Sequence, residues 1–479
     1  MKGLDVVASH MDRILFPVTS RKASIAISVV IIALLSLILF SVRQNILTYD
    51  NTLETVYFIL TVAIAYGIGS WLLLGYVKQT SRAATATTTT TTTATGPTIH
   101  RGPLISLLHL AVVIVQFAIL GIMLYVIFDR SSEYLMPYVN AITSVFATII
   151  MIAFAFRILR WYKKSNKRLL VLLYFLTALT IAIMIAVDFA VKFMVTTKIE
   201  TSASSEAPKE TFLYRNTDEG LLLKQDIEPG RTISYIVPLQ FLAAWRVLNI
   251  YPGLVSLYLR WGATSLTLYE HNKYKRSNKI AFWILISVPV ILLFVGQLPD
   301  YLGITPEPWT RPVFRGANIA IGIMFGLAFL AMARKAPAIK DHLTIAAIGV
   351  MIITISFGIT NIQQTFGIAA HSLVLLSSYL FAIGLYGSAV SLSHDATLRQ
   401  SIRRSAKGTT IPGLLDSASI AEVQEQIEQK VIEIAKHQSN VLFEQSGVPA
   451  SLEEGDMKKY LKQVLIETQR DKKNVTGGR

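Results

Sequence analysis

Residues 169–193 read LLVLLYFLTALTIAIMIAVDFAVKF, and only Asp188 and Lys192 carry charge in that stretch. Wound as a helix at 1.5 Å per residue it is about 37 Å long, enough to cross the roughly 30 Å hydrocarbon core of a bilayer. Runs of the same kind recur on both sides of it. The spans expected are 24–42, 56–76, 104–128, 138–156, 169–193, 235–258, 280–298, 316–333, 343–361 and 373–392, ten in all. The first has no small-residue cleavage site at its end and reads as a retained span. The fold class that follows is all-α: a polytopic helical membrane bundle occupying residues 1–393. Composition agrees, with 52% hydrophobic and 16% charged residues among 479 and a mean hydropathy of +0.50, which argue against a set of soluble domains.

The net charge of +15 would suggest nucleic acid in a soluble chain. In a polytopic one it is an orientation signal, because short cytoplasmic loops collect Lys and Arg. One side receives Lys2, Arg13, Arg21 and Lys22; then Lys78, Arg82 and Arg101; then Arg157, Arg160, Lys163, Lys164, Lys167 and Arg168; then Arg260, Lys273, Lys275, Arg276 and Lys279; then Arg334, Lys335 and Lys340. The other side carries few bases, and segment 196–234 holds seven acids against five bases. Both termini are therefore expected to be cytoplasmic, with no nucleic-acid partner. The chain lacks cysteine, which excludes disulfide scaffolds, thiolate metal sites and thiol nucleophiles.

Three pieces fall outside the bilayer. Residues 81–98 include seven consecutive threonines, Thr87 to Thr93, and present no periodic apolar face, so a disordered cytoplasmic linker is expected. In the outer segment 196–234, two apolar stretches flank the polar turn Asn216 to Gly220, which predicts a small β-hairpin between about Thr211 and Ile227. The cytoplasmic tail, 394–479, has 13 Lys+Arg and 12 Asp+Glu and is nearly neutral. Ser419-Ile-Ala-Glu422 is a capping-box pattern that opens a helix in which Ile420, Ile427, Ile434 and Val441 recur every seven residues. A second box at Ser451–Glu454 opens another helix, so the tail reads as a helical hairpin that packs on its neighbour or on a cytosolic partner through 418–470.

A charge within hydrocarbon takes a functional reading by default, since each is costly there unless paired or wet. Arg246 lies near the middle of the span expected at 235–258, which also carries Gln240, Asn249 and the Pro252-Gly253 break. Asp188 either pairs with Arg246 along a solute or proton path, or is neutralised one turn away by Lys192. His109 and Gln116, seven apart on the third span, share a face that would meet the polar sixth helix. Asn361, Gln363, Gln364 and His371 form an outer polar group that either floors a cavity or caps a helix. Tyr162-Lys-Lys-Ser-Asn-Lys167 and Tyr274-Lys-Arg-Ser-Asn-Lys279 match at five of six positions, each downstream of a Leu-Arg-Trp. Their bases, Lys163, Lys164, Lys167, Lys273, Lys275, Arg276 and Lys279, are expected to touch anionic lipid headgroups, or the motifs mark a duplicated hairpin. Gly322-x-x-x-Gly326 and Gly384-x-x-x-Ser388 permit close helix approach, within the chain or in a homo-oligomer.

Tyr386-Gly-Ser-Ala-Val-Ser391, Leu398-Arg-Gln-Ser-Ile-Arg403 and Asp456-Met-Lys-Lys-Tyr-Leu-Lys-Gln-Val-Leu465 resemble uncharacterised multipass membrane proteins of archaea with a helical cytoplasmic tail. The resemblance implies a plasma membrane location and carries over no substrate or catalytic residue. Ser393-His394-Asp395 is similar to the phospho-acceptor box of sensor histidine kinases, but the proline of that box and any nucleotide-binding domain are missing. No metal ligand spacing, Walker loop or nucleophile elbow occurs, and no cofactor is implied. The expected function is a membrane sensor or scaffold signalling through its tail. The alternatives are a secondary transporter using the polar sixth helix and, third, an integral-membrane enzyme.

Overall fold

The computed structural model describes residues 67, 69–90, 103–128, 136–164, 168–197, 200–202, 213–217, 220–228, 231–238, 251–272, 279–302, 310–336, 339–360, 373–394, 414–415, 417–425 and 428. In chain order these form α1 (Gly69–Thr90), α2 (Pro103–Phe128), α3 (Met136–Lys164), α4 (Leu169–Thr197), β1 (Glu200–Ser202), β2 (Leu213–Thr217), β3 (Gly220–Glu228) and β4 (Arg231–Pro238). They continue with α5 (Tyr251–Asn272), α6 (Lys279–Leu302), α7 (Thr310–Lys335), α8 (Lys340–Thr360) and α9 (Leu373–His394), followed by a short tail helix, α10 (residues 417–425).

Five helical stretches are long and apolar enough to cross a membrane: Ala141–Lys164, Leu169–Ala190, Gly316–Arg334, Lys340–Phe357 and Leu373–Ser393, with shorter apolar stretches at Leu107–Ile122 and Ile286–Gly296. The outer helices are apolar on both faces. Along α3 the buried stripe is Val139, Thr143, Ala147, Met151, Phe154, Ile158 and Trp161, yet Ile149 and Phe156 on the other face are 58% and 59% exposed. Apolar side chains so open over so many turns require hydrocarbon as their surroundings. The expected span at 24–42 and the first part of that at 56–76 lie outside the described residues. The spans at 104–128, 138–156, 169–193, 280–298, 316–333, 343–361 and 373–392 each fall on a helix.

The core is built around α8 and α9, most of whose residues are buried. These two antiparallel helices meet backbone to backbone. A Cβ added at Gly349 would lie 2.5 Å from the Phe381 amide nitrogen, and one at Gly384 would lie 2.5 Å from that of Ala346. Glycine is thus the residue that allows the approach, as small-residue packing requires. Around this pair α3, α4, α7 and α9 contribute an aromatic cluster: Tyr174, Phe325, Phe329, Phe381 and Phe154, with neighbouring ring centroids 5.3–6.2 Å apart. Gly322 and Gly326 face Thr354 and Met351 of α8, so that glycine pair packs within the chain.

Three expectations need correction. The span placed at 235–258 begins in a strand: β4 runs Arg231–Pro238, residues 239–250 lie outside the described residues, and the described helix of this region runs Tyr251–Asn272. Thr232-Ile-Ser-Tyr-Ile-Val237 is rich in β-branched residues and follows Pro229-Gly230, a turn signature. Strand chemistry therefore outweighed the apolar run. Second, the predicted hairpin is present as β2 and β3, paired from Leu213↔Lys224 to Thr217↔Gly220, but it belongs to a four-stranded antiparallel sheet ordered β1-β4-β3-β2. Third, the Thr-rich linker is helical at its start, because α1 continues to Thr90. Ala83, Ala84 and Ala86 favour helix, and neither Gly nor Pro interrupts the segment before Gly96.

Candidate functional site

The tail comes back onto the bundle. Arg157, Trp161 and Lys164 lie at intervals of four and three along the last turns of α3, hence on one stripe. Glu422, Glu425 and Glu428 answer them at intervals of three on the tail. Arg157 grips Glu422 through both carboxylate oxygens, Nε donating to Oε1 at 3.0 Å and Nη2 to Oε2 at 2.7 Å. Its Nη1 donates to Glu425 Oε1 at 2.9 Å. Trp161 Nε1 donates to Glu422 Oε1 at 2.7 Å, and Lys164 Nζ to Glu428 Oε2 at 3.0 Å. The guanidinium also stands 5.5 Å from the centroid of the Tyr386 ring on α9, within cation–π range.

Glu422 is buried at 3% exposure, and its carboxylate accepts three charge-assisted or indole hydrogen bonds, the condition under which a buried charge is tolerated. Leu414, Leu415, Ala418 and Ala421 are buried in the same core cluster as α3, α8 and α9. The seam expected from the heptads therefore does not form the contact in the described part of the tail. Ile420 is 37% exposed, while Ser417, Ala418, Ala421 and Glu422 are buried. The docked face carries small residues and acids, the acids opposite the bases of α3. The helices expected beyond it lie outside the described residues.

A second polar locus lies inside the bundle. Arg260, on α5, is 4% exposed. Its Nε donates to the Ser256 carbonyl one turn earlier at 3.3 Å, and its Nη1 to Thr354 Oγ1 of α8 at 3.4 Å. Both partners are neutral and both distances long. Nearby, Tyr174 Oη and Thr267 Oγ1 are 3.1 Å apart across α4 and α5.

The residues singled out in the sequence are distributed differently. His109 and Gln116 lie on one side of α2 and each bonds to another helix, while the polar residues expected opposite them lie outside the described residues. His109 Nδ1 is 2.8 Å from Tyr379 Oη of α9, and Gln116 Nε2 donates to Ser70 Oγ of α1 at 3.4 Å. Asp188 is half-buried on α4. Arg246, Gln240, Asn249, Asn361, Gln363, Gln364 and His371 lie outside the described residues, as do Lys167, Lys273, Lys275 and Arg276, and the side chains of Lys192 and Lys279. Lys163 is exposed. Lys164 is instead paired with Glu428. The two Leu-Arg-Trp copies have opposite environments: Arg160 is exposed and Arg260 buried, while Trp161 bonds Glu422 and Trp261 Nε1 donates to the Ile286 carbonyl at 3.0 Å. Arg260, expected among the loop charges, lies instead within α5. The signal that identifies it is its place after Tyr251-Pro-Gly253, which starts a helix and puts Arg260 well inside it. Among the described residues no group of three His, Asp or Glu is disposed to hold a metal.

The fold is a helical bundle with, among the described residues, five helices long and apolar enough to cross a membrane, as a multipass membrane protein requires. No protein-family model matches the chain, and no curated protein or solved structure shows significant similarity to it.

Proposed function

We propose that the chain is a plasma-membrane sensor or scaffold whose tail helix is the output element, docked on or released from the cytoplasmic end of the bundle. The observation that carries the reading is the burial of Glu422 on Arg157 and Trp161. Such a contact is close to balanced. Desolvating the two charges offsets most of their attraction, so a modest rearrangement of α3 or α9 shifts the equilibrium, and a ligand with differential affinity for the two states does the same. The apolar anchor at Leu414 and Leu415 keeps the helix near its receptor after release, where segment 418–470 is offered to a cytosolic protein. Exposed Arg160, Lys163, Arg168 and Arg334 would suit contact with anionic headgroups at this end.

The chain has no cysteine, so paired spin labels are introduced directly, at Lys163 and Ile420. The expected result is one short distance in the parent and a broad, longer distribution in Glu422→Gln/Glu425→Gln. A tail that stays docked in that variant and in every lipid mixture sinks the reading. A second reading, secondary transport, is favoured by the buried charge of Arg260. Solute uptake by proteoliposomes that disappears in Arg260→Gln, with the tail distance unchanged, would put transport in place of sensing.

A further inference from the structure

We infer that Arg260, Ser256 and Thr354 form a binding site within the bundle for a small monovalent oxyanion of the carboxylate type. The inference is independent of the tail. It holds whether the anion is sensed or carried.

Arg260 is nine residues from the start of α5 and Thr354 is six residues from the end of α8, so along their helix axes they lie about 13 Å and about 9 Å from those ends. Arginine keeps its charge in proteins, and a buried charge is costly unless it is paired, hydrogen-bonded or wet. Its two protein acceptors are neutral. The ion pairs of Arg157 with Glu422 and Glu425 and of Lys164 with Glu428 are at the tail and do not involve Arg260.

The surrounding hydroxyls narrow the ligand. Thr354 Oγ1 donates to the Val350 carbonyl at 2.9 Å, so towards Arg260 it acts only as an acceptor and holds the guanidinium plane. Ser256 Oγ, one turn from Arg260 on the same side of α5, is buried without a hydrogen-bond partner. It supplies a neutral donor beside the cation. One positive charge, a flat pair of N–H groups and one hydroxyl donor match a planar anion that presents two oxygens and carries one negative charge. A divalent anion would leave a net negative charge in the core, and a halide would not use the parallel N–H pair. Gly322 completes the arrangement: a Cβ there would collide with the Thr354 side chain, so the hydroxyl sits where it does because α7 has glycine at that point.

The test uses the full chain purified in detergent in a HEPES buffer free of small anions, with sodium formate, chloride or sulfate added at equal ionic strength. Binding is followed by isothermal titration calorimetry and by the unfolding temperature. Formate is expected to bind saturably and raise the unfolding temperature, whereas sulfate does neither. Arg260→Lys should weaken formate about tenfold, since the parallel N–H pair is lost, and Ser256→Ala about fivefold. Arg260→Gln should abolish saturable binding. Chloride binding as tightly as formate, or formate binding unchanged in Arg260→Gln, overturns the assignment. If Arg260→Gln does not fold, Ser256→Ala and Thr354→Val decide: affinity equal to the parent in both overturns it.

Discussion

At the scale of the residue, Glu422 shows how a charge inside a protein is made tolerable and why its loss is asymmetric. With three hydrogen bonds to Arg157 and Trp161 in place the carboxylate is satisfied. Removing one partner strands the other. Arg157→Met is therefore expected to weaken docking by about 3–5 kcal/mol, because an uncompensated carboxylate would remain in the interface. Trp161→Phe, which removes one donor and leaves the ion pair, should cost about 1–3 kcal/mol. The double variant Arg157→Met/Glu422→Met should recover much of the first loss. The spin-label distance distribution reads all three, and additive losses in the double variant would contradict the pairing. The Lys164–Glu428 pair is a control. Its side chains are 24% and 32% exposed, so Lys164→Ala should shift docking by less than about 1 kcal/mol, and less again at high salt. Arg157 and Glu422 were both visible in the sequence, one as a loop charge and the other as a capping-box member. Their partnership was not, since helical spacing says which residues share a face and nothing of which distant helix that face meets.

At the scale of the element, the contrast between glycines separates packing from propensity. Gly384 and Gly349 sit where two backbones touch, whereas Gly262 has nothing within 4 Å of the place a Cβ would occupy. Gly384→Leu is expected to lower stability by about 1–3 kcal/mol or more by forcing α8 from α9. Gly262→Ala should leave stability unchanged or raise it by about 0.5–1 kcal/mol, because alanine is the better helix former. Unfolding temperatures measured in one detergent check both, and equal effects would mean that the close approach is not what the glycine serves. The same scale shows where the sequence was readable. Seven long apolar runs became helices because length and hydropathy over about 20 residues leave few alternatives. The run at 235–258 misled because Ile233, Tyr235, Ile236 and Val237 are as apolar as a span but β-branched or aromatic, and the chain reverses at Pro229-Gly230. Moving that boundary is what brings Arg260 from a loop into the helix α5. On the tail, the period of seven marked Ile420 as the seam, whereas the contact uses Ala418, Ala421 and Glu422.

At the scale of the whole molecule, the tail is part of the bundle's core and not an appendage to it. Leu414, Leu415, Ala418 and Ala421 are continuous with residues of α3, α8 and α9, so ending the chain after residue 413 removes apolar packing as well as charge. Two separable losses follow. Glu422→Gln/Glu425→Gln should release the charged part while leaving the leucines in place, with a small fall in unfolding temperature. Truncation should add the loss of Leu414 and Leu415, each about 2–5 kcal/mol by the usual cost of emptying a core position. Leu414→Ala/Leu415→Ala in the full chain should resemble the truncation more than the charge variant. The measurement is the unfolding temperature of the four proteins in one detergent, with the same order expected in resistance to proteolysis of the transmembrane part. A truncated protein as stable as the full chain would show that the leucines rest on the bundle without supporting it, and the tail would then report on the membrane domain without being built into it.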